Sequence, residues 1–521
     1  MNKSWISIKM LMVVTCIMVF NQSCTDLEEE VFSELTTETF PITDEQLTSA
    51  LAAAYTSLYN FGSHNSFYSL NLIASDEALI PQRGSDWFDG GQWIRVNQHD
   101  YNANEQAVGN GWNTLFGSVN DCNRVISLFE DRVADGAVEE ADAAILITEL
   151  KVLRAYVYYW LLDLYGNVPI VDDFNSTDSA PPTKSRAEVY AFIEKELAEN
   201  VPNLNQAKDI TTYARFNYWA GKALQAKLYL NAEVYTGTPK WAECAAACDE
   251  LINSGLYSME GDYFVNFDEQ NEGSNENIFV IPYDKVFAQG FNWSQMTLHY
   301  SSQNTFNLNA QPWNGYCAMT EIYNSYSDDD VRKGEFGNQK VRGNFLAGPQ
   351  FLADGTTPAT DSGVESSDPD GEQLVFTPEI NELRPNALRQ AGVRIGKYEF
   401  GGGPENMSND FVLLRYADIL LTKAEALMRN NGDMGEALDL VNMVRSRAGV
   451  DDYGELNLDN LLEERAREMF AEGTRRQDLI RFGKYGEAWQ FKDASDPCKE
   501  LFPIPTAQLT ANANLSQNEC Y

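Results

Sequence analysis

The sequence predicts a mainly α-helical protein that contains tetratricopeptide-like helical hairpins and a large irregular, loop-rich insertion. Three observations lead to this fold class. Many stretches carry apolar residues at helical spacing, two of them form similar helix–break–helix units, and the middle of the chain lacks long helical periodicity. The two units match the period of roughly 34 residues that tetratricopeptide repeats have. Such hairpins bury their apolar faces only by stacking on neighbours.

The start of the chain has the features of a lipoprotein precursor. Lys3 and Lys9 precede a short apolar run at 10–20, which is too short to span a bilayer and has the size of a signal-peptide core. Small Ser23 before Cys24 suits cleavage there and acylation of the cysteine. Residues 1–23 are therefore predicted to be a signal peptide and residues 24–36 a lipidated acidic tether. The alternative is an ordinary cleaved signal that leaves Cys24 free.

The remainder is predicted as two regions, an N-terminal helical region at 37–260 and a second region at 261–521. The hairpin units lie at 223–255 and 417–449, and each has a helix, a glycine-containing break and a second helix. Apolar residues at helical spacing predict helices at residues 45–60, 107–131, 141–165, 186–200, 215–234, 239–254, 411–430, 434–447 and 458–473.

The insertion is different in composition. Residues 261–320 and 335–405 are rich in Gly, Asn, Ser, Pro and aromatic residues. Within them, residues 277–283 predict a short strand, and residues 353–373 predict an exposed loop. Because binding residues concentrate on loops carried by rigid scaffolds, this insertion is where a ligand is expected.

Charge excludes some classes of ligand. The chain has 38 Lys and Arg against 77 Asp and Glu, which gives a net charge of −39. Such a protein repels nucleic acids and anionic lipid surfaces, and it suits neutral ligands. No metal or cofactor is expected, since the chain has only three histidines and no cluster of Cys and His.

Six cysteines follow the predicted tether: Cys122, Cys244, Cys248, Cys317, Cys498 and Cys520. Cys244 and Cys248 lie one helical turn apart, and they are predicted to be small buried apolar residues in preference to metal ligands. A disulfide between Cys498 and Cys520 is possible in an exported protein, although spacing alone does not decide it.

Two loops combine the groups that a sugar needs. Sugar rings offer flat C–H faces, which pack on aromatic rings, and a rim of hydroxyls, which bind short polar or planar charged groups. The loop at 81–93 contains Arg83, Asp86, Trp87 and Trp93 among glycines. The loop at 306–317 contains Asn307, Asn309, Gln311, Trp313, Tyr316 and Cys317. From these loops we predict ligand contacts by Arg83, Asp86, Trp87, Trp93, Asn309, Trp313, Tyr316 and Cys317.

These assignments have structural alternatives. Any of the tryptophans is instead a buried packing residue if its loop folds inward. Arg394, in the segment GVRIGKYEF, is a further candidate because its guanidinium offers bidentate donors to hydroxyls. Its alternative role is a salt bridge at a strand edge.

Several segments together resemble the SusD/RagB family. They are ELKVLRAYVYYWLLDLYGNVPIV at 149–171, FVLLRYADILLTKAEALMRNNG at 411–432, LLEERAREMFAEGTRRQDLIRFG at 461–483 and the closing segment at 501–521. The acidic run after Cys24 also resembles the surface-export signal of Bacteroidota lipoproteins; a solvated linker is the alternative.

The resemblance implies a SusD-like helical fold and a lipoprotein on the exterior of the outer membrane. It also implies a partner, a SusC-type TonB-dependent transporter, and an oligosaccharide as cargo. It favours Trp87 and Trp313 as ligand contacts, because binding members of the family carry aromatic residues in such loops. A binder of peptide or protein on the same architecture, and a surface hydrolase, remain as alternatives.

A catalytic site is not expected. The charged residues of 411–432 and 461–483 predict a lattice of salt bridges between helices. Glu468 and Glu472 have helical spacing and are the available acid–base pair, but neighbouring arginines would keep both ionised. His64, His99 and His299 lie among turn residues without a nucleophile motif. A binding protein is therefore favoured over an enzyme.

Overall fold

A computed structural model of the chain describes residues 40–334, 342–361 and 372–521. The predicted signal peptide, Cys24, the acidic tether and part of the predicted 353–373 loop lie outside these residues. The α-helices, in chain order, are α1 Asp44–Tyr55, α2 Phe67–Ile73, α3 Gln92–Asn97, α4 Gln106–Ala134, α5 Glu140–Leu164, α6 Arg186–Asn200, α7 Tyr218–Leu230, α8 Ala232–Thr236, α9 Trp241–Asn253, α10 Trp293–Thr297, α11 Ser302–Thr305, α12 Thr320–Asn324, α13 Tyr416–Arg429, α14 Met434–Arg447, α15 Leu458–Glu468, α16 Arg475–Arg481 and α17 Thr506–Ala511.

The strands are short and pair two at a time. They are β1 Ala78–Leu79, β2 Asn277–Ile281, β3 Cys317–Ala318, β4 Phe345–Leu346, β5 Gly348–Pro349, β6 Val375–Phe376, β7 Arg394–Ile395 and β8 Phe411–Arg415. Antiparallel pairs form between β1 and β3, β2 and β8, β4 and β7, and β5 and β6. The strand predicted at 277–283 is therefore confirmed as β2.

The predicted mainly α-helical class is confirmed, but one predicted helix begins as a strand. The helix predicted at 411–430 is wrong at its start, since β8 occupies its first five residues and α13 follows directly. Every residue of β2 is buried, and β8 is buried except at Leu413. A short run of buried apolar residues has the same pattern in a strand as in a helix, which explains the error.

Local sequence fixes where several helices begin. At the start of α1, the Thr43 side chain accepts from the Gln46 N–H while the Gln46 side chain accepts from the Thr43 N–H. Ser185 and Glu188 form the same reciprocal cap at the start of α6. Each such cap satisfies donors that a helix terminus otherwise leaves unpaired.

The helices pack as successive hairpins. α4 packs on α5, α7 on α9, and α13 on α14, while α9 also packs on α13 and so joins the second hairpin to the third. One hydrophobic core extends from Leu47 to Ile504 and includes residues on both sides of the division predicted between residues 260 and 261. Across the described ranges, no helix has the length and apolar character needed to cross a bilayer.

A buried arginine–carboxylate network joins the hairpins to the insertion. Arg415, the last residue of β8, donates to Glu276 at 2.7 Å, to Glu468 at 2.6 Å and to Glu472 at 2.8 Å. Arg332 binds Glu468 from the other side at 2.9 Å. The predicted lattice of salt bridges is thus present, but it is buried and reaches into the insertion.

A second part of the network lies between α7, α13 and the C-terminal helices. Asp418 accepts from Lys227 at 2.7 Å and from Arg465 at 3.0 Å. Arg481 binds both Glu425, at 2.6 Å, and Asp478, at 2.7 Å. All of these side chains are buried, so their charges are stabilised by the paired side chains and not by water.

The network holds its carboxylates in the ionised form. Burial by itself raises the pKa of Glu468, but Arg447, Arg415 and Arg332 outweigh it and hold that pKa below its usual range. Lys227 and Arg465 do the same for the pKa of Asp418. Because these pKa values are lower in the folded chain, the stability they contribute is present above the ordinary carboxylate pKa and is lost as the pH falls below it.

We expect Arg415→Met to lower the free energy of unfolding by about 3–5 kcal/mol, because it leaves three buried carboxylates without their central partner. The measurement is urea denaturation followed by circular dichroism. Arg124→Met is the matched control, since Arg124 pairs with Asp121 at 3.3 Å on the surface and should change the free energy by less than about 1 kcal/mol. Equal midpoints for the two variants would contradict the central role of Arg415.

Candidate functional site

The two predicted loops meet in space and form an aromatic cluster. It consists of Trp87 and Trp93 from one loop, Trp313 and Tyr316 from the other, and His64. The ring centroids of Trp87 and Trp313 lie 6.3 Å apart, and those of Trp87 and Tyr316 lie 5.8 Å apart. His64 lies edge-on to Trp87 at 4.9 Å. Aromatic residues from distant parts of the sequence thus come together at one place.

Backbone geometry determines how Trp87 lies in this cluster. Its φ of 58° is in the left-handed region, which bulky residues rarely adopt and which often marks a functional position. Its indole N–H donates to the Trp313 carbonyl at 2.5 Å. A Cβ on Gly315 would lie 2.3 Å from the Trp87 ring, so the ring approaches the backbone this closely only because position 315 is glycine.

Four of the predicted contact residues keep exposed surface. Trp87, Trp313 and Asp86 are partly buried, and Asn309 is exposed. Asp86 accepts a hydrogen bond from the Tyr300 hydroxyl. These four predicted residues, Asp86, Trp87, Asn309 and Trp313, lie where a ligand can reach them.

Three neighbours were missed by the sequence prediction. Phe88 is 51% exposed, beside Trp87. His64 lies 3.5 Å from Asp89, and its hydrogen bond, together with one from Trp93, holds the pKa of Asp89 below its usual range. Phe88 was within reach of prediction because it belongs to the same glycine-rich loop. His64 and Tyr300 were not, since nothing near them in the sequence indicates contact with that loop.

Five other predicted ligand contacts need correction, because their side chains are buried. Trp93 is in α3 and is 1% exposed, and Tyr316 and Cys317 are fully buried. Arg83 and Arg394 are also buried, at 1% and 0% exposure. Direct contact with a ligand is therefore kept as a proposal only for Asp86, Trp87, Asn309 and Trp313.

Arg83 holds the loops together from behind. Its guanidinium donates to the carbonyls of Asn314 at 2.7 Å, Gly315 at 2.9 Å and Ala391 at 2.9 Å, while its Nε donates to the Leu388 carbonyl at 3.2 Å. Three chain segments are thus joined by one side chain. The carbonyls have a charged partner, which makes these bonds stronger than neutral ones.

Arg394 supports the same region from β7. It donates to the Asn314 side chain at 2.6 Å and also binds the carbonyls of Arg389, Ala391 and Gly392. These bonds give Arg394 a supporting role beneath the loop of Trp313. Together with the β1–β3 pairing, Arg83 and Arg394 fix the position from which Trp313 and Trp87 face outward.

Of the groups weighed for catalysis, His64 belongs to the aromatic cluster and the others are buried. Glu468 and Glu472 are buried in the arginine–carboxylate network. His99 and His299 are buried, and burial lowers the pKa of His99 to about 2 and that of His299 to about 4. These side chains are packed in the interior of the protein.

The structure shows the state of two pairs of cysteines. Cys244 and Cys248 are buried, as expected for small apolar residues. Cys498 and Cys520, whose pairing the spacing left open, form a disulfide that joins the segment after α16 to the C-terminal end.

Two family models match the chain. Residues 27–230 match a family described as starch-binding and associating with the outer membrane, and residues 389–521 match the SusD family. Together the matches span more than half of the sequence, at its two ends. The chain belongs to the SusD family. The resemblance stated from the sequence is therefore confirmed.

Two relatives illustrate the range of the SusD family. The chain is 27% identical to the starch-binding protein SusD of Bacteroides thetaiotaomicron over 418 residues, which cover 72% of each protein. It is 25% identical to a SusD-like protein of Bacteroides ovatus over 499 residues, which cover 92% of this chain and 83% of the relative.

Solved structures with the SusD fold superpose over most of the chain. One is surface glycan-binding protein A from Bacteroides thetaiotaomicron in complex with laminarihexaose. It has a TM-score of 0.70 and 23% identity and covers 91% of this chain and 99% of its own. A SusD superfamily protein from Parabacteroides distasonis has a TM-score of 0.71 at 18% identity, with 94% and 100% covered. At these identities the likeness shows the fold.

We expect Arg83→Met to destabilise the loops around the aromatic cluster, since four backbone carbonyls lose a buried charged donor. The free energy of unfolding should fall by about 3 kcal/mol. Tryptophan fluorescence should also shift to longer wavelength in the folded state, because Trp87 and Trp313 become more exposed to water. Arg384→Met is the control. Arg384 is exposed, so its substitution should change neither the free energy of unfolding nor the emission spectrum. An unchanged emission spectrum in Arg83→Met would contradict the supporting role of Arg83.

Proposed function

We propose that this protein is a surface glycan-binding lipoprotein that captures oligosaccharide and delivers it to a SusC-type TonB-dependent transporter. The observation that carries the proposal is the contact between the partly exposed rings of Trp87 and Trp313, whose centroids lie 6.3 Å apart. Exposed Phe88 and partly exposed Asp86 adjoin Trp87 in the chain, and exposed Asn309 belongs to the loop of Trp313. Aromatic rings supply large contact area for the C–H faces of sugars. Carboxylate and amide groups supply hydrogen bonds to the hydroxyls.

The relatives support the class of ligand. The name of one curated relative describes starch binding, and a solved structure with the same fold holds laminarihexaose. Both are neutral glucans, and a chain with a net charge of −39 suits neutral ligands better than anionic ones. Stacking on aromatic rings accepts glucans of more than one linkage and length.

The proposed location and partner follow from the family. One matched family is described as associating with the outer membrane. Acylation of Cys24 would anchor the protein there, and several acyl chains hold a protein on a membrane stably, at about 0.8 kcal/mol per buried CH₂. A protein held on the exterior can pass a bound oligosaccharide to a transporter in the same membrane. The SusC-type partner comes from the family resemblance alone.

Binding without hydrolysis is part of the proposal. A glycosidase needs one carboxyl group that stays protonated to act as the acid. Glu468, the candidate acid, is held in the opposite state by Arg447, Arg415 and Arg332, and it is buried. Asp89, which does lie at the aromatic cluster, has a pKa below its usual range and is likewise ionised. Neither is suited to donate a proton at neutral pH.

We expect Trp87→Ala and Trp313→Ala each to weaken glycan binding about thirtyfold, which corresponds to a loss of roughly 2 kcal/mol of contact energy. A glycan array with the soluble chain from Thr25 onward identifies the oligosaccharide, and isothermal titration calorimetry then measures its affinity for each variant. Circular dichroism checks that both variants keep the parent fold.

Trp219→Ala is the matched control for these variants. Trp219 is also partly buried and its indole N–H donates to a backbone carbonyl, that of Gln206 at 2.8 Å, but it lies in α7. It should bind glycan as the parent does. If the two cluster variants are folded and bind as well as Trp219→Ala, the site lies elsewhere. Binding of extended peptides in place of glycans would favour the peptide-binding alternative.

We expect Cys24→Ala to release the protein from the membrane fraction, because the acyl chains are the proposed anchor. Membrane fractionation of cells that express the parent and the variant gives the answer. Cys122→Ala is the control, since it removes a cysteine that is buried inside α4 and should leave the protein in the membrane fraction. Retention of Cys24→Ala on membranes would refute lipid anchoring at this residue.

A further inference from the structure

A second cleft opens beside the segment that precedes Trp313 in the same loop. It has a volume of about 350 Å³, and its lining includes Asp268, Phe306, Arg342, Lys397, Glu399 and Phe400. Ligand pockets have volumes of roughly 300–1,000 Å³ and combine apolar walls with a few polar groups. Both the size and the lining of this cleft fit that description.

Two phenylalanine rings form its apolar corner. Phe306 and Phe400 are partly buried, with ring centroids 5.2 Å apart and planes at 74°. Behind them lies a small hydrophobic cluster separate from the main core, formed by Leu298, Leu308, Leu346, Leu374 and Phe376. The rings therefore rest on a firm apolar base while part of their surface stays open to the cleft.

Charged groups form the polar side of the cleft. Arg342 is 44% exposed and donates to Asp262 at 2.6 Å and to both oxygens of Asp268 at 2.6 Å. Glu399 is exposed, and one of its oxygens accepts from the Glu269 N–H at 3.0 Å. Opposite charges that are already paired offer donors and acceptors to hydroxyls without a strong preference for a charged ligand.

The cleft is linked to the aromatic cluster through the backbone. The Asn309 N–H donates to the Gly403 carbonyl at 2.7 Å, which joins the loop of Trp313 to the segment of Phe400. Phe306 and Trp313 are seven residues apart, so a chain of that length separates them by at most about 25 Å. An extended oligosaccharide of several sugar units is long enough to span that distance.

We propose that this cleft is a second carbohydrate subsite, in which Phe306 and Phe400 bind a sugar unit of the same neutral oligosaccharide that the aromatic cluster holds. The inference rests on the proposed function. It adds that the protein selects for chain length, since short oligosaccharides occupy only one of the two places.

The test uses Phe306→Leu and Phe400→Leu. Leucine keeps apolar volume over the small hydrophobic cluster, so the fold should persist, but it removes the flat ring on which a sugar packs. Phe287→Leu is the matched control, because Phe287 is 92% exposed and belongs to a turn outside both sites. The probe is an array of neutral glucans, from disaccharides to octasaccharides of each linkage, followed by calorimetry with the bound members.

The proposal is supported if both variants bind the longest oligosaccharides about fivefold more weakly than the parent and bind the shortest ones equally well. It is overturned if binding is unchanged at every length, or if it weakens equally at every length, since the second result would place the rings in the first site. If neither the parent nor Trp87→Ala binds any oligosaccharide on the array, the proposed function itself has failed.

Discussion

Arg415 brings a positive charge into the interior, where Glu276, Glu468 and Glu472 surround it. A buried charge is tolerated only when its partners are held in place, because each unpaired ion costs several kcal/mol. Glu276 precedes β2, while Glu468 ends α15, so the pairing requires parts of the chain that are far apart in sequence to arrive together. The network therefore specifies how the helical hairpins meet the insertion, even where it adds little net stability.

The same network reaches the candidate binding region through one lysine. Lys397 is buried and binds Glu472 at 2.7 Å, and burial lowers its pKa to about 8. It lies three residues after Arg394, which supports Asn314, and three before Phe400, which lines the second cleft. The rigid interior and the two proposed contact regions are thus parts of one connected structure, and a loop with little secondary structure of its own keeps a defined position.

The helical scaffold and the two loops of the candidate site could be predicted from the sequence. The predictions failed where a side chain bonds to partners that are distant in the sequence. Periodicity located α4, α5, α6 and α14 closely, because each has a continuous apolar face. The strand β8 was missed, since its short apolar run has no periodicity of its own. Arg83 and Arg394 were taken for ligand contacts because a sequence does not reveal carbonyls that fold onto an arginine. Trp93 was misplaced because the short helix α3 turns it inward.

The way Arg83 supports the loops has a consequence for how specificity can change. Its bonds of 2.7–2.9 Å go to main-chain carbonyls, which every amino acid carries. Outer positions such as Asn309 and Trp313 can therefore be exchanged while the frame beneath them keeps its hydrogen bonds. Gly315 is the exception, because Trp87 rests on it. A single scaffold is in this way open to redesign for other sugars, one outward residue at a time, without a new loop conformation having to be found.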